Sequence, residues 1–125
     1  MSSDDRLKGC RVLIVEDEYF LAYDLEQAFE AHGAIVVGPV AQFDEACDQV
    51  DRDDFDVAIL DLNLHDEKTY PIADELMRQK IPLVFCTGYD AKAIPERFAH
   101  VRVWHKPFEP RGLIEHIAQL CQRGS

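Results

Sequence analysis

The chain has 125 residues, 47% of them hydrophobic and 30% charged, which fits one globular domain at the usual ~100 to 200 residues per domain. Thirteen Lys and Arg against 24 Asp and Glu give a formal charge of −11, a balance that repels nucleic-acid phosphates and anionic lipid, so direct nucleic-acid binding is excluded. No apolar run approaches the ~18 residues of a membrane span, and the polar, acidic start lacks the layout of a signal peptide, so a cytoplasmic protein is expected.

Two hydrophobic periods alternate along the chain. Arg11-Val-Leu-Ile-Val15 is a short apolar run ending in acids, as a strand buried on both faces would be. Leu21, Leu25, Ala28 and Phe29 then recur at helical spacing, with Gly33 as a stop. Ile35-Val-Val37 predicts a second strand ending at Gly38-Pro39, followed by the helical stripe Phe43, Ala46, Cys47 and Val50. Val57-Ala-Ile-Leu60, closed by Asp61, is a third strand. A polar loop leads to the stripe Ile72, Ala73, Leu76 and Met77, and Leu83-Val-Phe-Cys86 is a fourth strand. Tyr89 to Ala99 has room for only about two turns of helix, interrupted by Pro95, so a short or mobile fourth helix is expected there. Val101 to Trp104 makes a fifth strand, and Pro110 opens a helix with the stripe Leu113, Ile114, Ile117, Leu120 and Cys121. The ends, Met1 to Leu7 and Arg123 to Ser125, read as loose. Five βα units in series imply a doubly wound α/β domain, a parallel sheet with helices on both faces.

The four cysteines, Cys10, Cys47, Cys86 and Cys121, show no Cys-x-x-Cys and no close Cys/His pairing. A zinc site is not expected, and they read as free thiols acting as small hydrophobes in a reducing compartment.

In such sheets ligands bind beyond the carboxyl ends of the strands. Strand one delivers Glu16-Asp17-Glu18 there, strand three Asp61, strand four Thr87-Gly88, and strand five Lys106-Pro107. Taken singly these are ordinary: a carboxylate at a strand end is usually a cap or a solvated charge. Together they put the carboxylates of two strands on one rim, a negative charge that calls for a cation. Mg²⁺ suits the set, because it takes hard oxygen ligands from one or two carboxylates and is completed by phosphate oxygens. With one phosphoryl oxygen on the metal, the Thr87 hydroxyl and Gly88 N–H can donate to a second and Lys106 to a third. Asp61 is left as the carboxylate that attacks phosphorus, giving an aspartyl phosphate.

At these residues the sequence resembles the receiver domains of two-component response regulators, over about residues 10–122. The motifs are Val15-Glu16-Asp17-Glu18, Leu60-Asp61-Leu-Asn63, Thr87-Gly88 and Lys106-Pro107-Phe108. The resemblance implies a flavodoxin-like sheet of order 2-1-3-4-5, Mg²⁺ as cofactor, and phosphoryl transfer from a histidine kinase or histidine phosphotransfer protein in a phosphorelay. It also implies that Glu16 (through water), Asp17, Asp61 and the Asn63 backbone carbonyl hold the metal. Lys106-Pro107 resembles the family's cis peptide, and the exposed side of the first helix its kinase-docking surface. Val103 stands where the family's switch aromatic lies, and alternation points the adjacent Trp104 to the opposite face. With Phe85-Cys-Thr-Gly-Tyr89, Tyr70-Pro-Ile-Ala-Asp74 and Ile94-Pro-Glu-Arg-Phe98, the chain looks like the stand-alone "FAT GUY" receivers of alphaproteobacteria, whose kinases are of the HWE/HisKA2 type. The expectation is a phosphoacceptor module, not an enzyme, with no output domain. Tyr89 is expected beside the phosphoryl group, the 89–99 segment is expected to order on phosphorylation, and His65 and His105 read as surface residues. Haloacid-dehalogenase-like phosphatases also pair a nucleophilic Asp with Mg²⁺ and Lys, but they require a second Asp where this chain has Asn63.

Overall fold

The computed structural model describes residues 6–88 and 94–123, the side chain of Arg123 excepted. Its elements in order are β1 (Arg11–Val15), α1 (Tyr19–Ala31), β2 (Ile35–Val40), α2 (Phe43–Arg52), β3 (Val57–Asp61), β4 (Asn63–Leu64), β5 (Glu67–Lys68), α3 (Tyr70–Arg78), β6 (Leu83–Thr87), a 3₁₀ turn (Glu96–Phe98), β7 (Val103–His105) and α4 (Pro110–Arg123). Five strands form one sheet of order β2-β1-β3-β6-β7, parallel throughout. This is the expected flavodoxin-like order, with the small β4-β5 hairpin inserted outside the main sheet.

Strand alternation divides the core in two. Leu13, Val15, Ala58, Leu60 and Phe85 face α2, α3 and Phe98. Val12, Ile14, Val57, Ile59, Val84 and Cys86 face α1 and α4 through Leu25, Phe29, Leu113 and Ile117. Both faces of β3 and β6 are therefore covered, and every residue of these strands is buried. Val103 packs on the first side and Trp104 on the second, as alternation predicts. Trp104 lies under the Arg102 guanidinium and beside Phe108 and His116.

Several expectations are corrected. β2 does not end at Val37 but continues through a cis Gly38-Pro39 bond to Val40. Leu13 pairs with Val37 and Val15 with Val40, so β2 carries one extra residue against β1, a bulge that an edge strand accommodates, proline included. Gly38 sits at φ +93°, and a Cβ there would lie 2.7 Å from the Val40 nitrogen. The polar loop after Asp61 contains the antiparallel β4-β5 pair, turned by His65 and Asp66 at φ 48° and 68°; both signs match the hairpin turns that suit strand twist. β7 begins two residues later than expected, at Val103. Leu7 is not loose: it is 1% exposed and its N–H donates to the His32 carbonyl. The largest departure concerns the thiols, since Cys10 and Cys121 form a disulfide between the lead-in to β1 and the last turn of α4. Cys47 and Cys86 are free.

Among the described residues of the stretch expected to hold a short or mobile fourth helix, a 3₁₀ turn, Glu96–Phe98, follows Pro95. Phe98 anchors it, 1% exposed, stacked on Tyr70 and edge-on to Phe85. Tyr89 lies outside the described residues, as do residues 89–93 of the 89–99 segment expected to order on phosphorylation. Among the described residues, no helix is long and apolar enough to cross a membrane.

Candidate functional site

Because all five strands run the same way, their last residues arrive on one rim. The Glu16 N–H donates to the Val40 carbonyl, so the acidic corner continues the β1 ladder instead of fraying. Glu16 is 2% exposed, and its Oε2 accepts the Glu18 N–H at 3.0 Å. Asp61, the last residue of β3, is 4% exposed; its Oδ1 accepts the Asn63 N–H at 3.0 Å. The Asp61 backbone is held too, because the buried Thr69 hydroxyl donates to the Asp61 carbonyl at 2.6 Å. Thr87 ends β6 and is 1% exposed. Register places it opposite His105, and the Lys106 N–H donates to the Thr87 carbonyl at 2.8 Å. Lys106-Pro107 is cis, as the resemblance implied. Gly88 follows Thr87 within reach of the same lysine: a Cβ there would lie 3.9 Å from the Lys106 Cδ.

The structure therefore brings Glu16, Asp17, Asp61, Asn63, Thr87, Gly88 and Lys106 together at one end of the sheet. One carboxylate oxygen from each of Glu16, Asp17 and Asp61 lies within 4.8 Å of the others, a spacing and donor chemistry that fit a hard divalent cation. Lys106 Nζ reaches Glu16 Oε2 at 2.9 Å, Glu18 Oε1 at 2.9 Å and Asp61 Oδ2 at 3.0 Å. One ammonium thus bridges the two buried acids.

Electrostatics follow from this crowding. Burial, then the charge of Asp61, raise the Glu16 carboxyl to about 7, against the lowering by the Glu18 N–H and Lys106. Burial disfavours the Lys106 ammonium, but the hydrogen bonds it donates to Glu18 and Glu16 and its attraction to Glu16 and Asp61 outweigh that, so Lys106 is held above the ordinary lysine range. The apex is short of positive charge, and its half-buried lysine stays protonated at any physiological pH.

Three contributions escaped the sequence reading. His65, assigned to the surface, is exposed, but its N–H donates to Asp17 Oδ2 at 2.9 Å and fastens the hairpin turn to the acidic corner. Nothing local signals this, because the contact exists only once the hairpin has formed. Thr69, eight residues after Asp61, has no motif to mark it. Tyr19, Phe20 and Tyr23 are 75%, 79% and 52% exposed; these are the positions of α1 that fall off its apolar stripe, so the spacing could have revealed them. With Pro39 and Ala41 across from them, Tyr19 and Tyr23 line a cleft of about 270 Å³ that opens onto Glu16 and Asp17.

Comparison with known proteins agrees. The family model described as response regulator receiver domain matches residues 12–118. Among curated proteins, the sensory transduction protein LytT of Bacillus anthracis is 29% identical over 87 residues, which are 67% of this chain and 35% of LytT. The chain thus spans about a third of the length of that relative. Among solved structures, SdrG from Sphingomonas melonis Fr1 is 37% identical with a TM-score of 0.78, covering 96% of this chain and 98% of SdrG. The response regulator PhyR from Brucella abortus is 26% identical with a TM-score of 0.78, covering 98% of this chain and 52% of PhyR. A parallel sheet of this order, carrying acids after β1 and β3 and a lysine after β7, is the receiver arrangement, and with a family match over most of its length the chain belongs to the response regulator receiver domain family.

Proposed function

We propose that Asp61 is the phosphoacceptor of this receiver, taking a phosphoryl group from a phosphohistidine on a histidine kinase or phosphotransfer protein. An Asp61 carboxylate oxygen bonds to phosphorus as the P–N bond breaks, and the leaving imidazole keeps the electron pair and gains a proton. Glu16, Asp17, Asp61 and the Asn63 carbonyl are the residues that would hold Mg²⁺, and the ion supplies charge neutralisation for the phosphoryl oxygens. The remaining work belongs to the chain. The Asn63 N–H orients the Asp61 carboxylate, Thr69 fixes its backbone, and Thr87, the Gly88 N–H and Lys106 supply donors for the other phosphoryl oxygens. The protein acts by phosphorylation-dependent binding or onward transfer, not by turnover of a substrate.

The observation that carries this is the single Lys106 ammonium bonded to two buried carboxylates from different strands. An arrangement that raises one acid to about 7 is costly to the fold, and a phosphoryl site that takes a cation gives that crowding a chemical use. The exposed Tyr19 and Tyr23 flank the acidic corner and, with the exposed Phe20 edge-on to Tyr19, offer an apolar rim for the donor's helix. Membership of the FAT GUY subgroup, a kinase of the HWE/HisKA2 type and a cytoplasmic location belong to the same proposal; the 37% identity to SdrG supports its relationship to a small receiver.

Incubation with Mg²⁺ and acetyl phosphate, followed by intact mass measurement, is expected to show one added phosphoryl group, absent in Asp61→Asn. An unmodified wild-type chain, with a control receiver phosphorylated in parallel, refutes the assignment.

A further inference from the structure

An ammonium has three N–H donors, and Lys106 Nζ has three carboxylate partners, Glu16, Glu18 and Asp61, at 2.9, 2.9 and 3.0 Å. A phosphoryl oxygen arriving at Asp61 gains a bond from Lys106 only if one of these partners lets go. They are not equally free to do so. The side chains of Glu16 and Asp61 are 1% and 6% exposed, whereas that of Glu18 is 62% exposed. A buried carboxylate that loses its counter-ion is left without water to replace it. Glu18 is rehydrated as it leaves, so its release is the cheapest.

Glu18 is also placed for the task. It is the residue immediately before α1, and its N–H is bonded to Glu16, so its backbone is held by the same acid that shares its lysine.

Taking Asp61 as the phosphoacceptor proposed above, we infer that Glu18 is a positioning residue: it holds the Lys106 ammonium at the acidic corner before phosphoryl transfer, and its place on Nζ is the one the incoming phosphoryl oxygen takes. Glu18 acts through Lys106 and need not touch the phosphoryl group. Its hold slows capture of the phosphoryl group, because the bond to Glu18 must break first.

Two variants, Glu18→Gln and Glu18→Ala, test this against the unaltered chain. Phosphoryl uptake from acetyl phosphate with Mg²⁺ is expected to be about two- to fivefold faster in both, the range for loss of an exposed ion pair. The gain is expected to shrink as ionic strength rises. A second measurement needs neither metal nor donor: in the metal-free protein, the ¹H–¹⁵N signal of the Lys106 ammonium is expected to exchange with water faster in both variants. A general loosening of the fold would not confine that change to one lysine. Equal uptake rates in a phosphorylatable chain, or an unchanged ammonium signal, overturn the inference. Failure of the unaltered chain to take up phosphoryl at all overturns the phosphoacceptor assignment instead, and the ammonium signal then still reads the Glu18 hold by itself.

Discussion

Glu16→Gln in the metal-free protein isolates the electrostatic strain at the apex. Glu16 is 2% exposed, and burial together with Asp61 raises its carboxyl from 4.5 to about 7. Between those values the folded chain holds a proton that the unfolded chain has released, so stability falls as pH rises through this window and levels off above about pH 7. Full ionisation of a carboxyl so shifted costs about 3 kcal/mol. Glutamine keeps an oxygen that can accept from the Glu18 N–H and Lys106, but it does not titrate. Urea denaturation in EDTA, at intervals from pH 4.5 to pH 8, is therefore expected to show the wild type losing about 3 kcal/mol more than Glu16→Gln over this range. Mg²⁺ competes with the proton for the same site, so its addition is expected to flatten the wild-type curve and to bind more tightly as pH approaches 7. If the two metal-free curves run parallel, Glu16 is not strained by burial and the charge of Asp61, and the electrostatic account of the apex fails.

Two further outcomes are expected. Cys121→Ser opens the disulfide to Cys10, which closes a chain separation of 111 residues; thermal or denaturant unfolding under non-reducing conditions should show a loss of about 4 to 5 kcal/mol, and equal stability of the two proteins would mean that the bond does not form. Thr69→Val removes the hydroxyl donated to the Asp61 carbonyl while keeping the buried shape. A loss of about 1 to 2 kcal/mol with slower phosphoryl uptake at Asp61 is expected, and unchanged uptake would remove Thr69 from the site.

Much of this fold was legible because its signals are local. β1, β3 and β6 are short apolar runs, which is what parallel strands covered on both faces require. The stripes of Leu25 and Phe29, and of Leu113 and Ile117, mark the inner sides of α1 and α4 at helical spacing. The chemistry-bearing residues were legible for a related reason. Asp61 and Thr87 are the last residues of β3 and β6, and Glu16 and Lys106 directly follow β1 and β7, so locating the strands located the site. The two-residue strands of the β4-β5 hairpin were not legible, since nothing so short shows a period. The bulge in β2 was hidden for the opposite reason: Gly38-Pro39 looks like a stop, and only its position on a sheet edge lets the strand pass through it. The Cys10–Cys121 bond has no signature in spacing, because its two halves meet only when α4 has packed back beside β1.

Residue type and local period by themselves determined the chain order of the five main-sheet strands and the helices between them, the α/β class, and which acids, hydroxyl and lysine end up on the rim. Only the tertiary structure decided how those groups divide their bonds. Lys106 meets Glu16, Glu18 and Asp61 across 90, 88 and 45 residues of chain, and His65 reaches Asp17 across 48. The physical reason is one of range. Apolar burial repeats with the backbone's own period and is written locally. A hydrogen bond instead forms only within a few tenths of an ångström, and at these separations that distance is set by sheet order, crossover path and loop closure together.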